Sequence, residues 1–360
     1  MELKIFTPGH GFFMDSLIMY GLVSAFPPDV KYHVSGTAGF FKIEIEGAAL
    51  QEVANFLAGD IGIHLEDIIE CLVNNLRVVQ KGSQKRLKSY LDSHKNPDVL
   101  VESFEKNYML PGHAQHEGRY YKGQHVWLPF YPHIGKYFAG EYRYPPVNYG
   151  ICPTCVTLAA LGFYKATIPI RYMPPKSASH IILLSFEGES SGEMLAKMPT
   201  FIRGNALTEL INKLRPVAEN LPVSTLTYVL LTRFTSSLIR DLYESKAIWT
   251  ALSTTFDVIR GQVVQIRGYD EVTIDGYLSS LVFLMRIDEK YNIDPLKRLG
   301  EITEDLIRKK ETAAMEALYK FMNTRSYMDL YVAIRQIIKA LGEGPGKIFC
   351  EELACLTQLT

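Results

Sequence analysis

The chain has 360 residues, 47% of them apolar, which is enough to bury a full core and excludes a disordered polymer. Lysine and arginine number 38 against 39 aspartate and glutamate, a formal charge of −1, so a polyanionic partner has to be held by local basic surface and not by a global field. The opening MELKIFTPGHG lacks a basic region followed by a long apolar run, and no stretch approaches the roughly 18 uncharged apolar residues of a membrane span, so neither a signal nor a span is expected.

In chain order, Leu3 to Phe6 reads as a strand, Thr7-Pro8-Gly9-His10-Gly11 as a tight loop, and Phe12 to Phe26 as a helix stopped by Pro27-Pro28. Val30 to Ser35 and Phe40 to Glu46 flank Gly36-Thr37-Ala38-Gly39, and the second run alternates Phe41, Ile43, Ile45 with Lys42, Glu44, Glu46, the pattern of a half-buried hairpin strand. Ala48 to Leu57 is predicted helical. Strand, helix, strand, strand, helix is the opening of a split β-α-β arrangement, although no fourth strand is legible. Leu65 to Arg77 and Gln84 to Leu91 follow as helices, and Pro97 begins a less regular stretch. Pro111 to Gly150 is rich in proline and glycine and reads as a long loop, yet its ten aromatic residues argue against disorder. Cys152-Pro153-Thr154-Cys155 opens an apolar helix ending near Gly162, and His180 to Phe186 is a strand candidate.

Helical spacing then dominates, over Thr208 to Leu214, Thr225 to Tyr243, Ile274 to Tyr291, Pro295 to Lys309, Thr312 to Met322 and Ser326 to Leu341, with Gly342 as the final stop. The expected fold class is α+β: residues 1–200 form a mixed lobe with a small antiparallel sheet and carry the basic and aromatic segments, and residues 201–360 form a mainly helical lobe. Five cysteines, Cys71, Cys152, Cys155, Cys350 and Cys355, are too few and too unevenly placed for a disulfide framework, so the expected compartment is the reducing cytoplasm.

Three segments carry candidate chemistry. Arg77, Lys81, Lys85, Arg86, Lys88 and Lys95 are opposed only by Asp92, and on a continuous helix residues 77, 81, 85 and 88 share one face, a stripe able to track phosphates. Gly82-Ser83 can break that helix, and a solvated surface is the plainer explanation of such a run. In the long loop, Arg119, Tyr120, Tyr121 and Lys122, with Tyr142 and Arg143, alternate cations with rings, as unpaired nucleic acid requires: bases stack on the rings while cations hold phosphates. Most rings of that loop are expected to pack on the core. Cys152 and Cys155 have the spacing of half a tetrahedral zinc site, and His113 and His116 upstream complete a Cys2His2 set, against the alternatives of buried thiols or a redox pair.

The turn Pro8-Gly9-His10-Gly11 offers amides to an anion at a helix start, but no Walker or dinucleotide motif follows. Glu44, Glu46, Asp60, Glu66 and Asp67 are explained equally as exposed acids or as parts of a metal site. No catalytic set stands out, and a non-enzyme is expected.

The segments Thr7-Pro8-Gly9-His10-Gly11-Phe12-Phe13-Met14-Asp15-Ser16-Leu17-Ile18-Met19-Tyr20-Gly21-Leu22 and Ile151-Cys152-Pro153-Thr154-Cys155-Val156-Thr157-Leu158-Ala159-Ala160-Leu161-Gly162 resemble the large-subunit family of the archaeal subtype I-A CRISPR interference (Cascade) complex, the Csa-four or Cas-eight-a family. The resemblance implies a non-catalytic subunit acting in antiviral defence. In such an effector, guide RNA pairing reads the target while the protein reads a short flanking motif (PAM) and helps hold opened DNA. Partners implied are the guide RNA, target DNA, backbone and small subunits, and a Cas3-type helicase and nuclease, with no membrane. Some related large subunits carry a zinc finger with two cysteine pairs, whereas here only Cys152 and Cys155 match. Two other readings stay open: a zinc-containing or metal-dependent nucleic-acid enzyme, and a protein-interaction scaffold that does not touch nucleic acid.

Overall fold

Strand β1 (Glu2–Phe6) leads through the Pro8–Gly11 turn into helix α1 (Phe12–Val23), followed by β2 (Tyr32–Gly36) and β3 (Phe41–Glu46). Strand β3 lies between the other two and is antiparallel to both, pairing Ile43 with Ile5 and Val34, and Ile45 with Leu3 and Tyr32. β1 and β2 therefore run parallel with α1 as their crossover, the split β-α-β arrangement. Phe41, Ile43 and Ile45 are buried and Lys42, Glu44 and Glu46 face outward, as the alternation requires. The computed structural model describes residues 2–37, 39–111, 151–172, 178–259, 263–291 and 295–343, together with residues 353, 354 and 357.

The sheet grows beyond this opening. Strand β4 (Thr167–Arg171) pairs antiparallel with the amino-terminal part of β5 (Ala178–Ser191), whose other end pairs with β2, and β6 (Lys246–Ile259) and β7 (Val263–Thr273) continue the order β1-β3-β2-β5-β6-β7. The first nine residues of β5 are buried without interruption, as expected of a strand covered on both faces. Periodicity does not reveal β6 for the same reason: Ala251 to Thr254 are all buried, so no alternation marks them; β7 does not alternate either, with Asp270 and Glu271 exposed one after the other.

The helices depart from the expected segmentation in three places. Residues 48–57 and 65–77 do not form two helices; α2 (Leu50–Ile69) runs unbroken between them and ends in a π turn, Glu70–Asn75. After α3 (Gln84–Ser93), Pro97 starts a regular helix, α4 (Pro97–Asn107): proline occupies the first turn, where its missing N–H is not needed, and the Asn96 side chain accepts from the Asp98 amide at 3.1 Å. Beyond α5 (Pro153–Ala166), α6 (Gly192–Ile202) and α7 (Asn205–Leu214), the run at 225–243 is two helices, α8 (Val223–Leu231) and α9 (Ser236–Glu244). Thr235 caps the second by accepting from the Leu238 amide. Helices α10 (Asp275–Tyr291), α11 (Pro295–Lys309), α12 (Thr312–Thr324) and α13 (Tyr327–Leu341) lie where the spacing predicts, and Gly342 ends the last at φ 88°.

The fold is α+β. Its residues divide into two compact units, one of Met1–Arg171, Lys176–Ile202 and Leu252–Asp270, the other of Tyr172–Pro175, Arg203–Ala251 and Glu271–Thr360. In the first, α1 is buried almost all round and packs on α5, and both lie on the strands. The second has a helical core in which Tyr277 packs between Tyr228 and Tyr319, with ring centroids 4.6 and 5.9 Å away. Among the described residues no helix is long and apolar enough to cross a membrane.

Candidate nucleic-acid interface

The basic run does not sit on one helical face. After the π turn the chain reverses at Arg77, whose φ is 56°, and Leu76, Val78 and Val79 are buried on either side of it. The Val79 amide donates to the Leu72 carbonyl at 3.0 Å and pins the reversal. Lys81 begins a short 3-10 turn to Ser83, and only then does α3 start. Buried Leu87 and Leu91 fix that helix, and Lys85, Arg86 and Lys88 lie on its exposed surface. The expected stripe through residues 77, 81, 85 and 88 is thus a turn followed by a helix start: the helix breaks at residues 76–80, around Arg77, and Gly82-Ser83, where a break was expected, lie in the 3-10 turn that leads into α3.

Two of the six cations are answered internally. Lys88 meets Glu66 of α2 at 2.8 Å and Lys95 meets Asp92 at 2.6 Å. Arg77, Lys81, Lys85 and Arg86 are exposed and make no ion pair among the described residues, although Arg86 bonds the Ser83 hydroxyl at 3.3 Å. Arg119, Tyr120, Tyr121, Lys122, Tyr142 and Arg143 lie outside the described residues, as do His113 and His116.

Cys152 and Cys155 are buried at the start of α5, their sulfurs 3.3 Å apart. Cys152 caps the helix by accepting from the Cys155 amide, and the Tyr108 hydroxyl lies 3.0 Å from the Cys155 sulfur. Burial pushes the Cys155 thiol well above its usual range. The next residue in, Thr154, bonds His94 Nε2 at 2.9 Å and the Ser103 hydroxyl at 2.7 Å, while His94 Nδ1 lies 2.7 Å from the Tyr90 carbonyl. Burial keeps His94 below the usual imidazole range. A tetrahedral zinc with bonds of about 2.3 Å holds two sulfurs about 3.8 Å apart, so the pair fits the metal in donor type and spacing after opening by about 0.5 Å.

The turn before α1 does gather amides around an anion, and the anion is internal. Buried Asp15 accepts from the Gly9 and Gly11 amides at 2.8 Å each, with the Thr7 hydroxyl and the His10 amide also donating. Gly9 and Gly11 have φ of 84° and 124°, which an L side chain rarely adopts. The acids considered for a metal site are not brought together. Glu44 lies between Lys4 and Lys42, Asp60 meets Lys165 at 3.0 Å, Glu66 meets Lys88, and Asp67 lies 3.5 Å from His64. Among the described residues no group of three or more His, Cys, Asp or Glu side chains can hold a metal.

One constellation has no signal in the sequence. His180 on β5 is buried, with Ser253 Oγ 2.7 Å from Nε2 and Thr255 Oγ1 2.6 Å from Nδ1, both on β6. Burial lowers its pKa to about 4, which makes it a weak base, and the trio acts as a polar cross-strand tie. Ser253 and Thr255 lie 73 and 75 residues from His180 along the chain, so only the strand pairing makes the trio visible.

The family model described as CRISPR-associated protein (Cas_Csa4) matches residues 4–342 of this chain. No curated protein matches it.

Proposed function

This chain belongs to the CRISPR-associated Csa4 family, and on that premise we propose that it is the non-catalytic large subunit of an archaeal type I-A effector. In this reading it binds nucleic acid, assists reading of the flanking motif and opening of target DNA, and works in the cytoplasm. Its partners are guide RNA, target DNA, the backbone and small subunits, and a Cas3-type helicase and nuclease. Guide pairing supplies sequence specificity, so the protein's part is to hold backbone and displaced strand, a task for cations and rings. Cys152 and Cys155, with His113 and His116, would hold a structural zinc.

The observation that supports this reading at residue level is the group of exposed, uncompensated cations Arg77, Lys81, Lys85 and Arg86 around a turn and a helix start. A near-neutral chain needs such a local patch to attract phosphates. The test replaces Lys81, Lys85, Arg86 and Lys88 by Ala. Duplex DNA binding weakens across sequences, and the salt slope between about 50 and 200 mM flattens by up to about one unit per lost phosphate contact. Unchanged affinity and slope would remove the patch from the interface.

A further inference from the structure

Helix α13 presents a face that the rest of its unit does not cover. Tyr327, Met328 and Tyr331 are 71%, 74% and 63% exposed, and Val332 is 44% exposed. These four make half of the eight large apolar side chains exposed among the described residues, gathered on two helical turns. A cluster of that kind on a folded surface points to a ligand.

The line through the tyrosines continues into charge. Tyr327, Tyr331, Arg335 and Lys339 follow one another at four-residue spacing, and all four are exposed. Each step rises about 6 Å and winds about 40° round the helix, so the line is a shallow spiral about 18 Å long. Among the described residues neither ring is hydrogen-bonded and neither cation has an ion pair. The only acid on α13, Asp329, is already answered: Lys320 lies 2.9 Å from it, Thr324 donates to it at 2.7 Å and Ser326 at 3.3 Å. Lys309 adds a further cation at the far end, where it donates to the Ala340 carbonyl at 2.9 Å.

We propose that this face of α13 is a second nucleic-acid site, binding single strands: bases stack on Tyr327 and Tyr331 while Arg335 and Lys339 hold successive phosphates. Two rings followed by two cations along one helix, without uncompensated negative charge, is the chemistry of sequence-tolerant single-strand binding. Met328 and Val332 border the rings and exclude water from the stacked bases. A protein partner or a second copy of the chain fits less well. Six side chains on one helix fall short of the roughly 20 to 30 residues per side of a stable protein interface, and a nucleic-acid strand needs only such a narrow track.

The inference rests on the nucleic-acid reading above but uses residues of the other unit, so the two can fail separately. The test measures full-length wild type, Tyr327→Ala/Tyr331→Ala, Tyr327→Phe/Tyr331→Phe, Arg335→Ala/Lys339→Ala and the basic-run variant against a fluorescein-labelled oligothymidylate and a labelled duplex. Both tyrosines are exposed, so the alanine variant keeps the wild-type melting temperature. It loses roughly 5- to 150-fold in oligothymidylate affinity for each stacking ring, while duplex affinity holds. The phenylalanine variant retains affinity, and the Arg335/Lys339 variant lowers the single-strand salt slope by up to about 1.4 units, about 0.7 for each lost phosphate contact.

Wild-type affinity for the single strand in the alanine variant, or no binding of the single strand by wild type, overturns the proposal. So does an unchanged single-strand affinity accompanied by lost association with another purified subunit, which would make the face a protein interface. An effect confined to the basic-run variant on duplex supports the first reading and rejects this one.

Discussion

Asp15 is an acid surrounded by donors and cut off from water, and the two circumstances pull its proton in opposite directions. Burial prevails, raising its pKa to about 6 in spite of the amides of Gly9, His10 and Gly11 and the hydroxyl of Thr7. Because the folded pKa lies above that of an unfolded aspartate, the folded chain binds more protons between about pH 4 and 6. Stability from this group is therefore complete below the lower value and lost as pH rises through the upper one, amounting to about 3 kcal/mol. Asp15→Asn leaves one glycine amide facing an NH2 group and melts lower, and its deficit against wild type is expected to be largest near pH 4 and to shrink towards pH 7. Melting curves of both proteins across that range check the sign. A deficit independent of pH would mean that Asp15 titrates normally.

The cysteine pair makes a second prediction at this scale. With zinc bound, purified protein carries about one metal per chain, and Cys152→Ala loses both metal and several degrees of melting temperature, since a structural metal contributes folding energy. Metal analysis of wild type and variant decides. The pair was legible in the sequence as a spacing, and so was the Pro-Gly-His-Gly turn as an anion cradle. That the anion is the chain's own Asp15 was not legible, because spacing shows which groups can meet but not which one arrives first.

At the scale of elements, α1 and α5 meet through their glycines. A Cβ on Gly21 would lie 2.1 Å from the Leu158 carbonyl oxygen, and one on Gly162 would lie 1.8 Å from that of Leu17. These are backbone atoms that cannot swing aside, so either alanine forces the helices apart. Gly21→Ala and Gly162→Ala are each expected to lower stability by about 3 kcal/mol or more. The double variant should cost less than the sum, since one separation accommodates both methyls. Denaturant titration of the three proteins tests this, and fully additive losses would place the two glycines in independent contacts.

The residues that carry the family resemblance, 7–22 and 151–162, are these two helices and the turn before the first. What the sequence displayed was therefore the packing of the core and not a binding surface. Strand β3 and the carboxyl-terminal helices were readable because one face is wet and one dry, whereas β6, buried from Ala251 to Thr254, and β7, with Asp270 and Glu271 exposed in succession, show no period. The basic run was readable as charge but not as shape, because the helix breaks at residues 76–80, where no glycine or proline marks it, and not at Gly82-Ser83.

For the whole molecule, the expected division at residue 200 assigned the sheet to one stretch of chain and the helices to another. The compact units are drawn differently: Leu252–Asp270 belongs with Met1–Arg171 and Lys176–Ile202, and the helical unit takes the chain on either side of it. Composition cannot show this, since strand and helix stretches alternate without a linker between them. The basic run and the α13 face accordingly belong to separate units, so the two proposed sites can be tested apart.

The late return of β6 and β7 to the sheet also sets an order in time. As the chain leaves the ribosome, β5 is delivered with β2 and β4 to pair with, but its other edge stays open until residues 246–273 have been made. His180 waits equally long for Ser253 and Thr255. The first unit therefore cannot finish folding as synthesis passes its own boundary. During that interval a nascent chain carries a long, apolar, unpaired strand edge, the kind of surface that chaperones bind and that aggregates when they do not.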